Sequence, residues 1–294
     1  MKITELFESG KRTISFEFFP PNTEQGIENL FGNIPTLSKM DPDFISVTYG
    51  AGGGTRDKTI GIVRRVKEQT DLEVMCHVTC VAQTKGEVED ALNLLGPANV
   101  ENVLGLRGDP GRGEDRFVPP EGGYQYASEL IEHIRNNHDF AIGGACFPEG
   151  HLESPSLEAD AAFLKRKVDA GAQFLVTQLF FDNDDYYRFM ERTQRWGIDV
   201  PIIAGVLPIL STGQIRRFAS LCGARIPGDL DAKLEQYAED DNAVREIGIE
   251  HSSRQVEDLW RNGVAGLHFY TLNRTYSTLK VLENLNADKA SAPC

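Results

Sequence analysis

Short runs of apolar residues, rich in β-branched and aromatic side chains, recur with a spacing of about 30 residues for most of the chain. Each run has the length and composition of a short strand. The eight runs span residues 14–19, 44–49, 74–81, 103–106, 141–147, 174–181, 202–209 and 267–272. The pattern therefore predicts eight strands distributed over the whole chain.

Between these runs lie segments whose apolar residues follow the spacing of a helix. After the fifth run, four apolar side chains fall at i, i+4, i+7 and i+11, namely Leu157, Ala161, Leu164 and Val168. Thr84 and Glu87 form a capping box, which predicts that the third of these helices begins there. Strands and helices therefore alternate along the sequence.

Eight strand-helix units in alternation are typical of an α/β protein of the (β/α)8 TIM-barrel class. We predict a single barrel domain over residues 1–285. Residues 221–263 are long enough for extra helices between strands seven and eight, with a structural role or, alternatively, an interface role. The Gly/Pro-rich residues 109–124 predict a long loop that covers or builds a ligand site. Residues 286–294 are small and polar and predict a disordered tail.

The composition is that of a globular protein with ample core, since 40% of the 294 residues are hydrophobic and 25% are charged. The net charge of -14 argues against nucleic-acid binding, because affinity for a phosphate backbone requires clustered Lys and Arg. No apolar run is long enough to cross a bilayer and the N-terminus lacks a signal-peptide pattern, so we expect a cytoplasmic protein without membrane contact. The five cysteines are too scattered for a disulfide framework, which agrees with a reducing compartment.

Glu17 is a lone carboxylate in an apolar strand that two prolines, Pro20 and Pro21, end at once. The neighbouring residues Phe16, Phe18 and Phe19 are expected to desolvate the carboxyl and raise its pKa, which suits proton transfer near neutral pH. A solvated strand end or a structural ion pair is the alternative interpretation.

In a barrel of this class the active site lies at the C-terminal ends of the strands. Polar or aromatic side chains are predicted at that end of nearly every strand: Glu17, Thr48, Tyr49, His77, Thr79, Arg107, Gly108, Asp109, Phe147, Glu149, His151, Gln178, Tyr270 and Arg274. Each one alone fits a solvated strand end, but together they predict a polar mouth.

Three further motifs bear on cofactor or metal binding. Residues 50–55 contain G-x-G-x-x-T, but this follows the second strand of a repeating series, which disfavours a Rossmann site. Alternation separates His77 from Cys76 and Cys80, so no metal site is predicted there or elsewhere. Asp160 and Lys167 lie seven residues apart on one flank of a helix, beside Arg166, and suit a ribose and a phosphate; a solvated helix edge is the alternative.

The sequence resembles the methylenetetrahydrofolate reductase family in its bacterial form, which consists of the catalytic domain alone. Seven ordered motifs carry the resemblance, at residues 15–21, 46–50, 77–80, 106–109, 165–172, 177–178 and 268–274. The resemblance implies a (β/α)8 barrel with non-covalent FAD, which passes a hydride from NAD(P)H to 5,10-methylenetetrahydrofolate. The product, 5-methyltetrahydrofolate, supplies methyl groups for methionine synthesis, and a homo-oligomer is also implied.

The resemblance also implies roles for individual residues. Glu17 matches the general acid, and Asp109 matches the acid beside the flavin and the pterin. Flavin-binding positions are matched by Thr48, Tyr49, Ala51, His77, Arg107, Gly108, Tyr126, Ala127, His151, Asp160, Arg166 and Lys167. Folate or nicotinamide positions are matched by Gln178, Phe218, Tyr270 and Arg274. Phe147 departs from the family pattern, since relatives often carry Tyr there, and keeps only the packing of a ring against FAD.

Two other functions remain open at this point. One is a flavin-free, pterin-binding barrel of a methyltransferase system, and the other is a non-catalytic folate-binding protein. The choice between NADH, NADPH and a protein electron donor is also open, because the chain offers no Rossmann acid or arginine by which to judge it.

Overall fold

Eight parallel strands form a closed barrel in the computed structural model of the protein, which describes residues 1–49, 56–110 and 116–291. The strands are β1 Thr13–Phe18, β2 Phe44–Val47, β3 Val74–Thr79, β4 Asn102–Leu106, β5 Ala141–Cys146, β6 Phe174–Thr177, β7 Ile202–Val206 and β8 Gly266–Tyr270. Each strand pairs with its neighbours in sequence, and β1 pairs with β8 to close the barrel. The predicted (β/α)8 class is confirmed.

Helices fill the connections between the strands. In the described part of the chain they are α1 Ile3–Glu8, α2 Glu24–Ser38, α3 Arg56–Gln69, α4 Lys85–Leu95, α5 Ala127–Asn137, α6 Leu157–Asp169, α7 Asn183–Arg195, α8 Thr212–Cys222, α9 Gly228–Gln236, α10 Asp241–Arg261 and α11 Tyr276–Ser291. The extra helices predicted between strands seven and eight are confirmed as α9 and α10. None of the helices in these ranges is both long and apolar enough to cross a lipid bilayer.

Strand alternation divides the apolar side chains into an inner and an outer layer. The outer layer lies between strands and helices and includes Phe16, whereas Phe44 and Phe174 belong to the inner layer. At the N-terminal end of the barrel, Ile3 of α1 joins the inner layer, and its amide donates a hydrogen bond of 2.7 Å to Asn102 Oδ1. That end is therefore filled by apolar side chains, and the polar groups lie nearer the opposite end.

A separate apolar cluster lies beside the C-terminal end of the barrel, where α8, α9 and α10 pack on the segments that follow β6 and β7. Its members include Leu179, Phe181, Leu207, Ile209 and Leu234. The inserted helices thus form one wall of the barrel mouth, in keeping with the structural role expected for them.

The helix ends agree with the sequence in one place and differ from it in another. The Thr84 hydroxyl accepts from the Glu87 amide at 3.3 Å, and the Glu87 carboxylate accepts from the Thr84 amide at 2.8 Å, so the capping box of α4 is confirmed. Of the tail expected over residues 286–294, residues 286–291 belong to α11, and residues 292–294 lie outside the described residues. Alanine and lysine are good helix formers, and residues 286–291 contain both.

Candidate active site

Glu17 lies near the C-terminal end of β1 with its side chain inside the barrel, where it is 5% exposed. Alternation directs the adjacent Phe16 and Phe18 outward into the layer beneath the helices, and Phe19 is 36% exposed. The expectation that phenylalanine rings enclose this carboxyl is therefore wrong. Polar side chains of neighbouring strands enclose it instead.

Two histidines contact the Glu17 carboxyl. Its Oε2 atom lies 3.5 Å from His77 Nε2 on β3 and 3.4 Å from His268 Nε2 on β8. His268 is fully buried, with its Nδ1 2.7 Å from Ser15 Oγ and its Nε2 3.3 Å from Ser46 Oγ. The two serine hydroxyls therefore fix the His268 ring, and the ring in turn restrains the carboxyl.

The sequence reasoning missed His268, Ser15 and Ser46. Period-two alternation carries a signal that could have found all three, because Ser15 precedes Glu17 by two residues, Ser46 precedes Thr48 by two and His268 precedes Tyr270 by two. Each pair therefore shares the inward face of its strand. A search of strand ends overlooks these residues because they lie one layer deeper in the barrel.

Thr48 and Tyr49 follow β2 beside the end of β3. The Tyr49 hydroxyl donates to Gln83 Oε1 at 3.0 Å, and Gln83 Nε2 donates to the Thr79 carbonyl at 2.9 Å. Thr48 Oγ1 and Thr79 Oγ1 are buried without a hydrogen-bond partner among the described residues, and so is His77 Nε2, whose 3.5 Å contact with Glu17 Oε2 is not a hydrogen bond. An unpaired buried polar group costs about 1–3 kcal/mol, so these three atoms together indicate a position suited to a polar ligand.

Arg107 follows β4 and forms a bidentate ion pair with Glu153, with N–O distances of 2.8 and 2.7 Å. Its guanidinium lies 4.9 Å from the centre of the Phe117 ring. His151 joins this group, because its Nδ1 accepts from the Glu153 amide at 3.1 Å and its ring meets the Phe147 ring edge-on at 4.7 Å. Burial lowers the pKa of His151, which favours the neutral ring.

Helix α6 carries Asp160 and Lys167 to the same region. Asp160 is buried and accepts from the His151 amide at 3.2 Å and from Ser154 Oγ at 3.0 Å. Lys167 Nζ donates to the Ala145 carbonyl at 2.5 Å, and burial lowers the pKa of its ammonium group. The alternative of a solvated helix edge is therefore wrong for these two residues.

Arg166 differs from its neighbour in being exposed. Its guanidinium lies 5.2 Å from the centre of the Phe163 ring, which stacks on Tyr126 at 6.0 Å. Tyr126 is the N-cap residue of α5, and Ala127 is the first residue of that helix. These side chains form a partly exposed aromatic and cationic surface at the outer edge of the mouth.

Gly108 and Asp109 continue the chain beyond β4. Gly108 has a φ of +86°, and a Cβ atom there would lie 2.8 Å from the Val81 side chain, so the position requires glycine. Asp109 is exposed. Burial is the main reason why the pKa of the Cys222 thiol is raised to about 12, and the negative charge of Asp109 contributes in the same direction. The Asp109 carboxylate therefore lies near the end of α8. Residues 50–55, with Ala51, and residues 111–115 lie outside the described residues.

The opposite wall of the mouth contains the remaining candidates. The Tyr270 hydroxyl donates to the Thr177 carbonyl at 2.6 Å, and burial raises its pKa well above the usual value. Phe218 and Tyr270 both pack against the cluster formed with α8, α9 and α10. Gln178 accepts from the next backbone amide at 2.9 Å. Arg274 is exposed, and its amide donates to the carbonyl three residues earlier.

Two chemically different regions thus meet at one end of the barrel. The region around Glu17 holds a carboxyl and two imidazoles out of water, which suits proton transfer. The region around Arg107 and Lys167 holds cations and a buried acid, which suits a phosphate and a sugar hydroxyl. The fold and the site therefore define a (β/α)8 barrel whose mouth holds a buried carboxyl and two imidazoles beside a wall that carries cations and a buried acid.

Comparison with known proteins gives the family. The sequence model of the methylenetetrahydrofolate reductase family matches residues 2–286. A methylenetetrahydrofolate reductase (NADH) 1 of Arabidopsis thaliana is 40% identical over 295 residues, covering 97% of this chain and 50% of the plant protein. The 5,10-methylenetetrahydrofolate reductase of Escherichia coli is 38% identical over 278 residues, covering 94% of this chain and 91% of the bacterial protein. The chain belongs to the methylenetetrahydrofolate reductase family.

The chain spans about half the length of the plant and yeast relatives that it matches. Among solved structures, an uncharacterized protein from Clostridium thermocellum that binds two copies of 5-methyl-5,6,7,8-tetrahydrofolic acid has a TM-score of 0.67 at 18% identity, covering 98% of this chain and all of that one. At this level of identity the likeness establishes the barrel fold alone.

Proposed function

We propose that the protein reduces 5,10-methylenetetrahydrofolate to 5-methyltetrahydrofolate with NAD(P)H as the reductant and FAD as the cofactor. The observation that carries the proposal is the enclosed Glu17 carboxyl, held between His77 and His268 at the mouth of a barrel of this family. Four free, described cysteines and the family assignment support a cytoplasmic enzyme that makes methyl groups for methionine synthesis. A homo-oligomer is proposed from the resemblance alone.

The residues at the mouth fit FAD. Thr48 Oγ1, Thr79 Oγ1 and His77 Nε2 are buried polar atoms that a flavin ring, with its alternating donors and acceptors, could satisfy. Lys167 and Arg107 provide positive charge for the phosphates. When bound, FAD supplies the hydride chemistry between the nicotinamide and the folate.

Asp160, the buried acid of α6, is proposed to hold a ribose hydroxyl. His151, Arg166, Tyr126, Ala127 and Gly108 are proposed to complete the flavin site, with Phe147 contributing only the face of its ring. The contact with Val81 accounts for glycine at position 108, so the flavin role of Gly108 rests on the resemblance. Ala51 is proposed for the same site from the resemblance alone.

Glu17 is proposed to supply the proton that the substrate needs. The five-membered ring of the bridged folate must open to a 5-iminium cation before it accepts hydride, and opening places a proton on the departing nitrogen. The proton moves from the Glu17 carboxyl to that nitrogen, directly or through water, and leaves a carboxylate that His77 and His268 contact. A positioned acid of this kind contributes about 10²–10⁴-fold to the rate.

Asp109 is proposed to stabilise the iminium cation through its negative charge. Gln178, Phe218, Tyr270 and Arg274 are proposed to bind the folate and the nicotinamide, which use one site in turn. Alternating use of one site gives ping-pong kinetics. The apolar packing of Phe218 and Tyr270 supports a binding surface for a flat ring on this wall.

Glu17→Gln tests the proposal. The variant should be reduced by NAD(P)H at the wild-type rate, while its reoxidation by 5,10-methylenetetrahydrofolate should fall at least about 100-fold. Stopped-flow absorbance of each half-reaction measures the two rates. Glu149→Gln is the matched control, because burial raises the pKa of this carboxyl to about 6, yet it contacts Arg225 and has no proposed part in the reaction.

Normal folate turnover by Glu17→Gln would refute the role of Glu17. The colour of the purified protein tests the wider proposal, because a yellow protein that NAD(P)H bleaches supports the reductase. A colourless protein that releases no flavin on denaturation would refute it and favour the pterin-binding barrel of a methyltransferase system.

A further inference from the structure

Three metal-ligating side chains converge on the outer surface of the barrel, away from the mouth. Glu89 comes from α4, His133 from α5, and His138 is the C-cap residue of α5. Because α5 leads into the first residue of β5, its C-terminal end lies toward the N-terminal end of the barrel. The cluster is thus remote from Glu17, and none of the proposed chemistry uses it.

The potential ligand atoms face one another. Glu89 Oε2 lies 2.7 Å from His133 Nε2 and 3.1 Å from His138 Nε2, and all three atoms lie within 4.8 Å of one another. Ligands about 2.0–2.1 Å from a tetrahedral ion are about 3.3 Å apart, and the two separations from Glu89 Oε2 lie within about 0.6 Å of that value.

The surroundings hold two of the side chains in place. Asn93 Nδ2 donates to the other carboxylate oxygen, Glu89 Oε1, at 3.2 Å, which leaves Oε2 directed at the histidines. The Asn137 amide lies 3.4 Å from His133 Nδ1. When a metal takes Nε2, the ring proton moves to Nδ1, and a rotated Asn137 amide can accept it with its oxygen.

Access from solvent is also present. The side chains of His133, His138 and Glu89 are 24%, 12% and 36% exposed, so an ion can enter and keep a water molecule as its fourth ligand. Aromatic rings border the site, with Tyr124 5.7 Å from the His133 ring and Phe140 5.6 Å from the His138 ring.

We propose that Glu89, His133 and His138 bind one divalent transition-metal ion of intermediate softness, with Zn²⁺ as the fitting example. Two imidazoles and one carboxylate are a ligand set that such ions prefer over Mg²⁺ or Ca²⁺. The ion joins α4 to the end of α5 and stabilises the outer layer, and it takes no part in the reaction at the mouth.

The test uses the purified holoenzyme after treatment with a chelator. Titration with Zn²⁺ should show one tight site per chain by isothermal calorimetry, and the bound Zn²⁺ should raise the Tm. The double variant His133→Gln, His138→Gln should bind at least about 100-fold more weakly, since loss of an outer-shell partner alone costs about 10–100-fold. Asp90→Asn, one residue from Glu89 and exposed, should bind as the wild type does.

Folding of the variants is checked by their flavin content and by turnover, both of which should remain unchanged. If the double variant folds poorly, Glu89→Gln serves instead, because it keeps the size and the hydrogen-bonding capacity of the side chain. Absence of a stoichiometric Zn²⁺ site, or unchanged Zn²⁺ affinity in the variants, would overturn the proposal. A Tm that differs between variants but does not respond to Zn²⁺ would also overturn it and would leave a hydrogen-bonded clamp between α4 and α5.

Discussion

The charge of His77 is set by burial more than by its acidic neighbour. Desolvation is the largest influence and lowers the pKa of the ring to about 4, although the charge of Glu17 acts in the opposite direction and His268 lowers it further. At neutral pH the ring is therefore uncharged, and its contact with Glu17 is a polar contact between a neutral ring and a carboxyl.

Stability should consequently fall in mild acid. The unfolded chain binds a proton at His77 near pH 6.5, but the folded chain does so only near pH 4, so stability present above pH 6.5 is lost as the pH falls toward 4. The loss from this group is at most about 3 kcal/mol. Urea unfolding from pH 7 to 4 should show a shallower decline for His77→Gln, in which the other histidines are unchanged. Parallel curves for the two proteins would contradict the assignment.

His268 is expected to act as a positioning residue for Glu17. His268→Asn removes the ring that joins Ser15 and Ser46 to the carboxyl, and a displacement of about 1 Å can cost about 100-fold in rate. The half-reaction with 5,10-methylenetetrahydrofolate should slow by that order, while reduction by NAD(P)H remains unchanged.

A purely structural role for His268 would give a different result. Both half-reactions would then slow together, and the flavin content and Tm would fall with them. The pH profile of the folate half-reaction separates the two cases further, because a displaced Glu17 shifts that profile and a general loss of folded protein does not.

At the scale of the elements, the repeating pattern predicted each strand because every strand of a barrel is buried on both faces and shows as an apolar run. The ends of the strands were less predictable. The run at residues 174–181 continues past the end of β6 at Thr177, because Leu179, Phe180 and Phe181 are buried under helices and not in the sheet. An apolar run records burial, and burial does not require a strand.

The capping box of α4 also anchors the segment that leads to α5. Thr84 forms an isolated bridge with Gly123, and the Lys85 amide donates to the Gly122 carbonyl at 3.0 Å. Thr84→Ala should lower the free energy of unfolding by about 1 kcal/mol, because the amide of Glu87 loses its acceptor. Thr84→Ser keeps the hydroxyl and should lose much less. Equal losses in urea denaturation would show that the hydroxyl is not what stabilises this turn.

At the scale of the molecule, the barrel and the end of it that carries the site could be predicted from one sequence, but the contacts between elements could not. The spacing of the apolar runs and their order along the chain predict the barrel, and the barrel class predicts which end of it carries the site. The pairing of Arg107 with Glu153 and of Glu17 with His268 joins residues 46 and 251 positions apart, and no local pattern encodes such pairs. The cluster of Glu89, His133 and His138 was missed for the same reason, since it combines two helices.

The contacts at the barrel mouth lead most directly to a prediction about cofactor binding, which involves the whole molecule. FAD added to flavin-free protein should raise the Tm, because a ligand that binds only the native state stabilises it by about 2.7 kcal/mol at a hundredfold excess over Kd. Riboflavin lacks the phosphates proposed to meet Lys167 and Arg107, so it should give a smaller rise at equal concentration. Equal shifts for FAD and riboflavin would contradict the assignment of those cations.

Thr48→Val makes the same test at a single buried hydroxyl. Thr48 Oγ1 is buried without a partner among the described residues, so its removal should stabilise the flavin-free protein by about 1 kcal/mol. The same change should reduce the rise in Tm that FAD produces. Thr59→Val is the matched control, because the Thr59 hydroxyl is buried but donates to the Thr48 carbonyl at 3.0 Å, and its loss should destabilise the protein with or without FAD. Thermal unfolding of the four combinations separates the two effects. If Thr48→Val destabilised the flavin-free protein as Thr59→Val does, and left the gain from FAD unchanged, Thr48 would not be a ligand of the flavin.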